Sequence, residues 1–244
     1  MQNKEKKTML NNFFSNEWEH LYSIGRHNSI WPWTDLISIF YKNCSSLIKR
    51  KNKKVLELGC GAGANILFFN SIGFEYFAVD GSKTAVKNLI KKYPKLKNNI
   101  SVADFSKNIP KKFGEKFDLI IDRASITHNN SEGIRNTLKL VESKMAPHSY
   151  FIGVDWFATG HSGYKLGRPG EDKFTRNKLP SYTEFFNTGN VHFSSKSHLK
   201  SLFDNFELVA LNKKRSERII PFKHYSEVKW DIVAKKINRD STIY

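Results

Sequence analysis

A short apolar strand that runs straight into a cluster of glycines constrains this chain more than any other feature. Residues 54–58 (KVLEL) predict a buried strand, and Gly59–Gly63 follow it at once. An apolar helical segment then begins at Ile66, and a second apolar run ends at Asp80. A strand, a glycine-rich turn and a helix form the first half of a nucleotide-binding unit. Glycines let the backbone approach a ligand closely, and an acid after the second strand can accept hydrogen bonds from both hydroxyls of a ribose.

Two cofactors compete for this turn. Gly59-x-Gly61-x-x-Ala64 satisfies the loose dinucleotide fingerprint, which tolerates alanine in its last place. However, Glu57 precedes the first glycine, and an acid there suits a cationic amino acid group better than a pyrophosphate. Together with Asp80, the Glu57 and Gly-x-Gly-x-Gly pattern closely resembles motifs I and II of the class I S-adenosylmethionine-dependent methyltransferases. The resemblance implies S-adenosylmethionine as the cofactor, with its methionine part on the glycine loop and its ribose on Asp80.

The following strands extend the resemblance. Residues 100–103 predict a third strand that ends at Asp104-Phe105, where the family binds the adenine amino group with an acid and packs an apolar residue near the ring. FDLIID, at residues 117–122, predicts a fourth strand and resembles the family's motif IV. The resemblance implies that one set of residues near the strand ends binds the cofactor: Glu57, Gly59, Cys60, Gly61, Gly63, Asp80, Gly81, Ser82, Asp104, Phe105, Asp122 and Arg123.

The end of the chain also follows the family. Tyr150–Val154 predicts a fifth strand, and Phe206–Leu211 with Val228–Ala234 predict a closing antiparallel pair. The resemblance implies an α/β, Rossmann-like class I methyltransferase fold. Such a fold has a seven-stranded, mostly parallel sheet with helices on both faces and an antiparallel last strand. We expect residues 51–244 to form this domain and residues 1–50 to form an N-terminal helical lead-in, or lid.

The lead-in and a polar insertion are the expected acceptor-binding segments. Helical spacing predicts helices over residues 13–21 and 34–49, and a Trp-Pro-Trp segment lies between them. Residues 157–190 are polar and glycine-rich, with little helical or strand period, which indicates a functional loop within an insertion around residues 156–190. A merely mobile loop is the alternative. The residues that we expect to bind the acceptor are Arg26, Trp33, Tyr164 and Arg168, and Lys173 and Arg176 would also suit an anionic acceptor.

Methyl transfer from a sulfonium is an in-line displacement, so the enzyme must mainly align the acceptor. An oxygen acceptor also needs a general base or a metal to remove its proton. The candidate catalytic residues are His128, Asp155 and His161, with His192 and Asp122 as further candidates. His128 lies on the motif IV rim and has an unperturbed pKa near 6.5. Metal-dependent catechol-type enzymes carry Asp-Asn where this chain has Asp155-Trp156, so we predict no metal.

Two motifs that the sequence lacks narrow the class of methyl acceptor. The (Asp/Asn)-Pro-Pro-(Tyr/Phe) signature of amino-group methylation of bases and glutamine is replaced by residues 122–125 (DRAS), and the cysteine pair for carbon-5 methylation of pyrimidines is missing. A small molecule methylated on oxygen remains. DRASITHN, Trp-Pro-Trp and WFATGHSGY resemble methyltransferases encoded among bacterial surface-polysaccharide genes, which implies a sugar, a sugar nucleotide or a related precursor as the acceptor. An RNA methyltransferase and a non-catalytic cofactor-binding partner are the alternatives.

Composition bears on partners and location. The formal net charge is +17, but lysines are scattered through every segment, so we regard nucleic-acid binding as the weaker interpretation. No apolar run approaches the roughly 20 residues that span a bilayer, so we expect no membrane insertion. Cys44 and Cys60 are the chain's cysteines, which predicts no disulfide framework and a cytoplasmic location. The sequence does not predict an oligomeric state.

Overall fold

A seven-stranded sheet organises the chain in the computed structural model, which describes residues 16–114, 116–221 and 224–237. The strands of this sheet are β1 (Lys54–Leu58), β2 (Glu75–Asp80), β3 (Ile100–Val102), β4 (Phe117–Arg123), β5 (Met145–Phe157), β9 (Phe206–Glu217) and β10 (Ser226–Lys236). Their order is β3-β2-β1-β4-β5-β10-β9. β10 pairs antiparallel with both of its neighbours, whereas β1 to β5 pair in parallel. The predicted fold class is confirmed.

The central strands are apolar on both faces, because helices cover the sheet on each side. Successive side chains of a strand point to opposite faces, so Val55 and Leu56 enter different hydrophobic clusters. The cluster that contains Val55 is closed by α2 (Thr34–Cys44), α3 (Ile66–Ser71) and α4 (Lys83–Lys92). The cluster that contains Leu56 is closed by α5 (Ser131–Lys144) and α6 (Lys196–Leu202).

Side-chain caps set the starts of three helices. The hydroxyl of Ser82 accepts the backbone N–H of Ala85 at 3.0 Å at the start of α4. Asn130 caps α5, and Ser195 caps α6 in the same manner. These bonds satisfy backbone donors that a helix leaves free at its N-terminus.

The closing strands are longer than the sequence pattern indicates. β9 and β10 extend beyond the predicted Phe206–Leu211 and Val228–Ala234, because polar residues continue the hairpin past the sheet. β5 is also longer than the predicted Tyr150–Val154. His148 has a φ of 56°, a left-handed conformation that ordinarily favours glycine.

The insertion has more structure than its sequence pattern predicts. Three short strands form a second sheet in the order β6 (Arg168–Pro169), β7 (Thr175–Asn177) and β8 (Val191–His192). Aromatic and aliphatic residues of the insertion form their own cluster with the end of β5: Phe157, Leu179, Phe185, Val191 and Phe193. The prediction of little strand structure is therefore wrong in part, because pairs of two or three residues leave no readable period.

The lead-in divides into two parts. α2 packs its apolar face against the sheet, and Leu36, Phe40 and Cys44 are fully buried there. α1 (Asn16–Ser23) instead lies beside α4, over the carboxyl ends of the strands. The predicted helix over residues 13–21 begins outside the described residues. Within the part of the chain that is described, no helix has the length and apolar character needed to span a membrane.

Candidate active site

A cavity of about 410 Å³ opens at the carboxyl ends of the parallel strands. Glu57, Asp80, Arg123 and Asp155, which lie at or near the ends of β1, β2, β4 and β5, contribute to its wall. The lead-in and the insertion supply the remainder. Because ligands of open α/β sheets bind outside the carboxyl ends of the strands, this cavity is the candidate active site.

Tight packing explains two glycines of the loop after β1. Gly59 has a φ of 69°, and a Cβ there would lie 1.7 Å from the Ser125 hydroxyl oxygen. Gly61 has a φ of 50°, and a Cβ there would lie 2.5 Å from the Tyr22 hydroxyl oxygen. Both positions therefore need glycine for conformation and for space. The backbone N–H of Gly59 donates to the Val79 carbonyl at 2.8 Å, which holds the loop between β1 and β2.

Glu57 lies at the base of the cavity with both carboxylate oxygens engaged. Asn65 Nδ2 donates to its Oε1 at 2.8 Å, and the Tyr76 hydroxyl donates to its Oε2. Burial raises the pKa of Glu57 to about 7, although these two hydrogen bonds oppose the shift. The Oδ1 atom of Asn65, a residue that lines the cavity, is buried without a hydrogen-bond partner. Asn65, as well as Glu57, therefore offers a hydrogen-bond acceptor at this end of the cavity.

Asp80 joins the glycine loop to the start of α4. Its Oδ2 accepts the backbone N–H of Gly61 at 2.9 Å, and its Oδ1 accepts that of Ser82 at 2.8 Å. Burial raises the pKa of Asp80, and the two N–H donors oppose that effect. Each carboxylate oxygen can accept more than one hydrogen bond. Asp80 can therefore hold the loop and still receive ribose hydroxyls.

Asp104 and Phe105 form the wall beyond β3. The Oδ1 atom of Asp104 accepts the backbone N–H of Ser106 at 3.0 Å. Its Oδ2 atom is buried without a hydrogen-bond partner, and Lys107 Nζ lies 3.6 Å away. An unpartnered buried acceptor beside an apolar ring fits the amino group and the face of an adenine.

Most of the predicted cofactor residues line the cavity, and three do not. The three are Gly63, whose φ of 78° and contact with Leu89 indicate a packing position, Ser82, and Asp122. Asp122 accepts the backbone N–H of Ile126 at 3.0 Å and Trp156 Nε1 at 2.7 Å. Burial raises its pKa to about 7 against these bonds. Asp122 therefore supports the turn after β4 from beneath.

Arg123 and Asp155 form an ion pair on the opposite side of the cavity. Arg123 Nη2 lies 2.6 Å from Asp155 Oδ2, and the guanidinium stacks 3.6 Å from the ring centre of Trp33. Lys214 Nζ lies 2.8 Å from Asp155 Oδ1. Burial alone would raise the pKa of Asp155, but the Lys214 hydrogen bond and the Arg123 charge outweigh it and lower the pKa. This pairing weakens Asp155 as a base and makes it suited to positioning Arg123.

His128 faces the cavity from the turn after β4. Its Nδ1 lies 3.1 Å from the carbonyl oxygen of Asn190, which can only accept, so Nδ1 carries the proton and Nε2 carries the lone pair. Trp18 packs against the imidazole edge at a centroid distance of 4.7 Å. Burial lowers the pKa of His128 to about 4, although the Asn190 carbonyl opposes this. The ordinary value near 6.5 that the sequence suggests does not apply.

His161 is fully buried and does not line the cavity. Its Nδ1 accepts the backbone N–H of Gly163 at 3.0 Å, so its other nitrogen carries the ring proton. That nitrogen, Nε2, lies 3.0 Å from Glu184 Oε1, while the Tyr225 hydroxyl donates to Glu184 Oε2 at 2.7 Å. Burial would raise the pKa of Glu184, but these two partners lower it. Glu184 is thus an ionised carboxylate held at the cavity wall.

The other predicted acceptor residues lie away from the cavity. Arg26 and Arg168 are exposed, and neither lines it. The Tyr164 hydroxyl donates to the Lys173 carbonyl, and Arg176 stacks over the Tyr164 ring at 4.3 Å. Arg26 thus belongs to the surface of the lead-in, while Tyr164 and Arg168 belong to parts of the insertion outside the cavity. Residues that the sequence analysis did not assign to the site line it instead: Trp18, Tyr22, His27, Asn65, Asn129, Glu184, Phe185, Thr188 and Lys229.

The sheet order, the glycine loop and the acids at successive strand ends define a Rossmann-like class I methyltransferase that uses S-adenosylmethionine. A family model described as a methyltransferase domain matches residues 32–212, and the chain belongs to that family. Its residues fit the cofactor, because the unpartnered acceptors Asp104 Oδ2 and Asn65 Oδ1 suit the adenine amino group and the ammonium group. The dinucleotide interpretation is not supported.

Solved structures agree with this fold. An S-adenosylmethionine-dependent methyltransferase from Anabaena variabilis is 15% identical and has a TM-score of 0.63, with 91% of this chain and 94% of that chain covered. One from Clostridium acetobutylicum is also 15% identical and has a TM-score of 0.59, with 91% and 99% covered. The glycopeptide N-methyltransferase MtfA, complexed with the cofactor analogue sinefungin, is 13% identical and has a TM-score of 0.54, with 89% and 96% covered. No curated protein matches the chain by sequence.

Proposed function

We propose that this methyltransferase transfers the methyl group to a hydroxyl of a small polar acceptor, such as a sugar, a sugar nucleotide or a related surface-polysaccharide precursor. The observation that carries the proposal is His128, a neutral imidazole on the cavity wall whose Nδ1–H is engaged by Asn190. Its lone pair is available to an acceptor hydroxyl. An amine acceptor, by contrast, needs no base once it is unprotonated.

His128 has a defined part in this reaction. When bound, S-adenosylmethionine supplies an electrophilic methyl group on a sulfonium. His128 Nε2 would take the proton of the acceptor hydroxyl as its oxygen is methylated, and the site would hold that hydroxyl in line with the methyl group. The contact with Trp18 and the fixed Nδ1–H orient the ring for this transfer.

The charged groups around His128 support a polyhydroxylated acceptor. Glu184 offers a carboxylate to hydroxyl donors, while Arg123 retains a buried Nε–H without a partner. Trp33 and Phe157 add aromatic faces to the same wall, and such faces pack well against the C–H groups of a sugar ring. Arg123 and Lys229 would also suit a phosphate or carboxylate on the acceptor. A mixed set of donors, acceptors and aromatic faces favours a sugar over a purely apolar substrate.

Segment roles follow from the same proposal. The lead-in, residues 1–50, would close the cavity, and the insertion around residues 156–190 would recognise the acceptor through Glu184. The cavity of about 410 Å³ must receive cofactor and acceptor together, which supports a small molecule over RNA. Cys44 and Cys60 are both free and buried, which agrees with the proposal of a cytoplasmic location.

A methyl-transfer assay tests the proposal. Purified protein with S-adenosylmethionine is offered pooled sugar nucleotides, pooled sugar phosphates and tRNA, and S-adenosylhomocysteine release and product mass are measured. We expect a methyl ether of a sugar-containing acceptor, with a raised KM in Glu184→Gln. Methylation of tRNA alone would support the RNA methyltransferase instead, and methylation on nitrogen would contradict the hydroxyl assignment. If the protein binds the cofactor but methylates no acceptor in the panel, the sugar class is wrong.

A further inference from the structure

The Tyr22 side chain lies directly over the glycine loop. It projects from α1, lines the cavity, and places its hydroxyl so close to Gly61 that a Cβ there would lie 2.5 Å from the oxygen. None of the described residues receives its O–H in a hydrogen bond. Tyr22 is half-buried, and a phenol that lines a polar cavity commonly directs its hydroxyl at a hydrogen-bond partner. A bound molecule can supply that partner.

A second contact fixes α1 in this place. The Glu19 carboxylate accepts the hydroxyl of Ser82 at 2.6 Å, and the hydroxyl of Thr84 at 2.5 Å. It also accepts the backbone N–H of Thr84 at 3.2 Å, at the N-terminus of α4, where a negative charge is favoured. Because Glu19 and Tyr22 are separated by one helical turn, docking of Glu19 sets the height of the phenol above the loop.

The polar groups in this part of the cavity suit the ammonium group of a zwitterionic amino acid better than its carboxylate. Glu57 and the unpartnered Asn65 Oδ1 are acceptors, so they suit an ammonium group. The carboxylate of an amino acid needs a donor instead. Burial raises the pKa of Tyr22 far above its ordinary value, with Asp80 adding to the effect, so the phenol keeps its proton and acts as a donor.

We propose that Tyr22 is a cofactor-binding residue whose hydroxyl donates a hydrogen bond to the carboxylate in the amino acid part of S-adenosylmethionine. Glu19 is a positioning residue that acts through Tyr22. The lead-in thereby completes the cofactor site and does more than cover it. This inference concerns cofactor binding alone, so it stands or falls independently of the acceptor.

Calorimetry with three cofactor fragments tests the contact. S-Adenosylhomocysteine carries both amino acid charges, its decarboxylated analogue keeps only the amine, and 5′-methylthioadenosine carries neither. Tyr22→Phe removes one oxygen and should weaken S-adenosylhomocysteine binding about ten- to a hundredfold, as expected for a hydrogen bond to a charged group. Its affinity for the other two ligands should match that of the wild type. Tyr41→Phe, on the exposed surface of α2, should change none of the three.

Other outcomes overturn the proposal in distinct ways. Equal weakening of all three ligands would mean that Tyr22 only supports the fold, and a matched loss for the decarboxylated analogue would move the contact to the ammonium group. Tighter S-adenosylhomocysteine binding by Tyr22→Phe would mean that the phenol obstructs the site. Glu19→Gln should also weaken S-adenosylhomocysteine selectively, and it should add little in the Tyr22→Phe background if it acts through Tyr22. Additive losses would contradict that positioning role.

Discussion

Asp104→Asn should reverse which purine the cofactor site prefers. The Ser106 backbone N–H holds Oδ1 of Asp104 at 3.0 Å, and the Oδ2 atom is left without a hydrogen-bond partner. A backbone N–H can only donate, so the amide oxygen of the variant should stay on Ser106. Its NH₂ group then takes the place of Oδ2. An acceptor that suits the amino group of adenine becomes a donor that suits the carbonyl of hypoxanthine.

The size of the effect follows from one charge-assisted hydrogen bond. Such a bond contributes about 1.5–3 kcal/mol, which is roughly 10- to 150-fold in affinity. By calorimetry, wild type should favour S-adenosylhomocysteine over S-inosylhomocysteine by at least this factor, and Asp104→Asn should favour S-inosylhomocysteine. Asp204→Asn, on the exposed surface, should leave the preference unchanged. If Asp104→Asn weakens both ligands equally, or neither, Asp104 does not read the base.

Three further predictions concern other parts of the site. His128→Ala should lower kcat by roughly 10²–10⁴. Because burial lowers the pKa of His128 to about 4, the wild-type rate should rise with pH around 4 and be level near neutrality. A rate that still rises with pH near 6.5 would contradict this assignment. Asp155→Asn should lower the free energy of unfolding in urea by about 3–5 kcal/mol at neutral pH, since it breaks a buried ion pair. Because the pKa of Asp155 is lowered in the folded state, this difference in unfolding free energy should be complete above about pH 4 and vanish as the pH falls through the pKa of the folded protein. A difference that stays constant at acidic pH would refute the charge argument. Gly59→Ala should destabilise the protein in thermal melts, because its Cβ would lie 1.7 Å from the Ser125 hydroxyl oxygen. Adding Ser125→Gly should restore only part of the lost stability, since the φ of 69° costs alanine a further 1–2 kcal/mol, roughly. Full recovery of stability would show that backbone conformation is unimportant at this position.

The cofactor half of the site could be predicted because local sequence encodes it. A buried parallel strand is a continuous apolar run, as in residues 54–58, and its carboxyl end is marked by the first polar or glycine residue. Parallel strands bring all such ends to one edge, so Glu57, Asp80 and Asp104 had to lie near one another once the strands were recognised. Asp122 shows the limit of this inference. It also ends a strand, yet it turns beneath the rim to bind Trp156.

The acceptor half could not be predicted in the same way, because tertiary packing selects its residues. Tyr164 and Arg168 have suitable chemistry, but Tyr164 packs against the insertion's hydrophobic cluster and Arg168 lies exposed in the second sheet. Glu184 and Phe185 line the cavity instead. Nothing in the local pattern of the insertion marks that choice. A glutamate among polar residues has no signature until its partners are known.

His161, a predicted catalytic residue, does not line the cavity but lies next to Glu184, which does. Its side chain is fully buried, so it cannot receive an acceptor proton directly. Its Nδ1 nevertheless accepts the Gly163 N–H, and its Nε2 lies 3.0 Å from Glu184 Oε1. If Glu184 binds the acceptor as we propose, loss of the ring should disturb acceptor binding more than proton removal, while the Tyr225 hydroxyl would still donate to Glu184. The insertion therefore brings a carboxylate to the cavity wall beside a buried histidine, and in our proposal proton transfer belongs to His128 on the edge of the sheet.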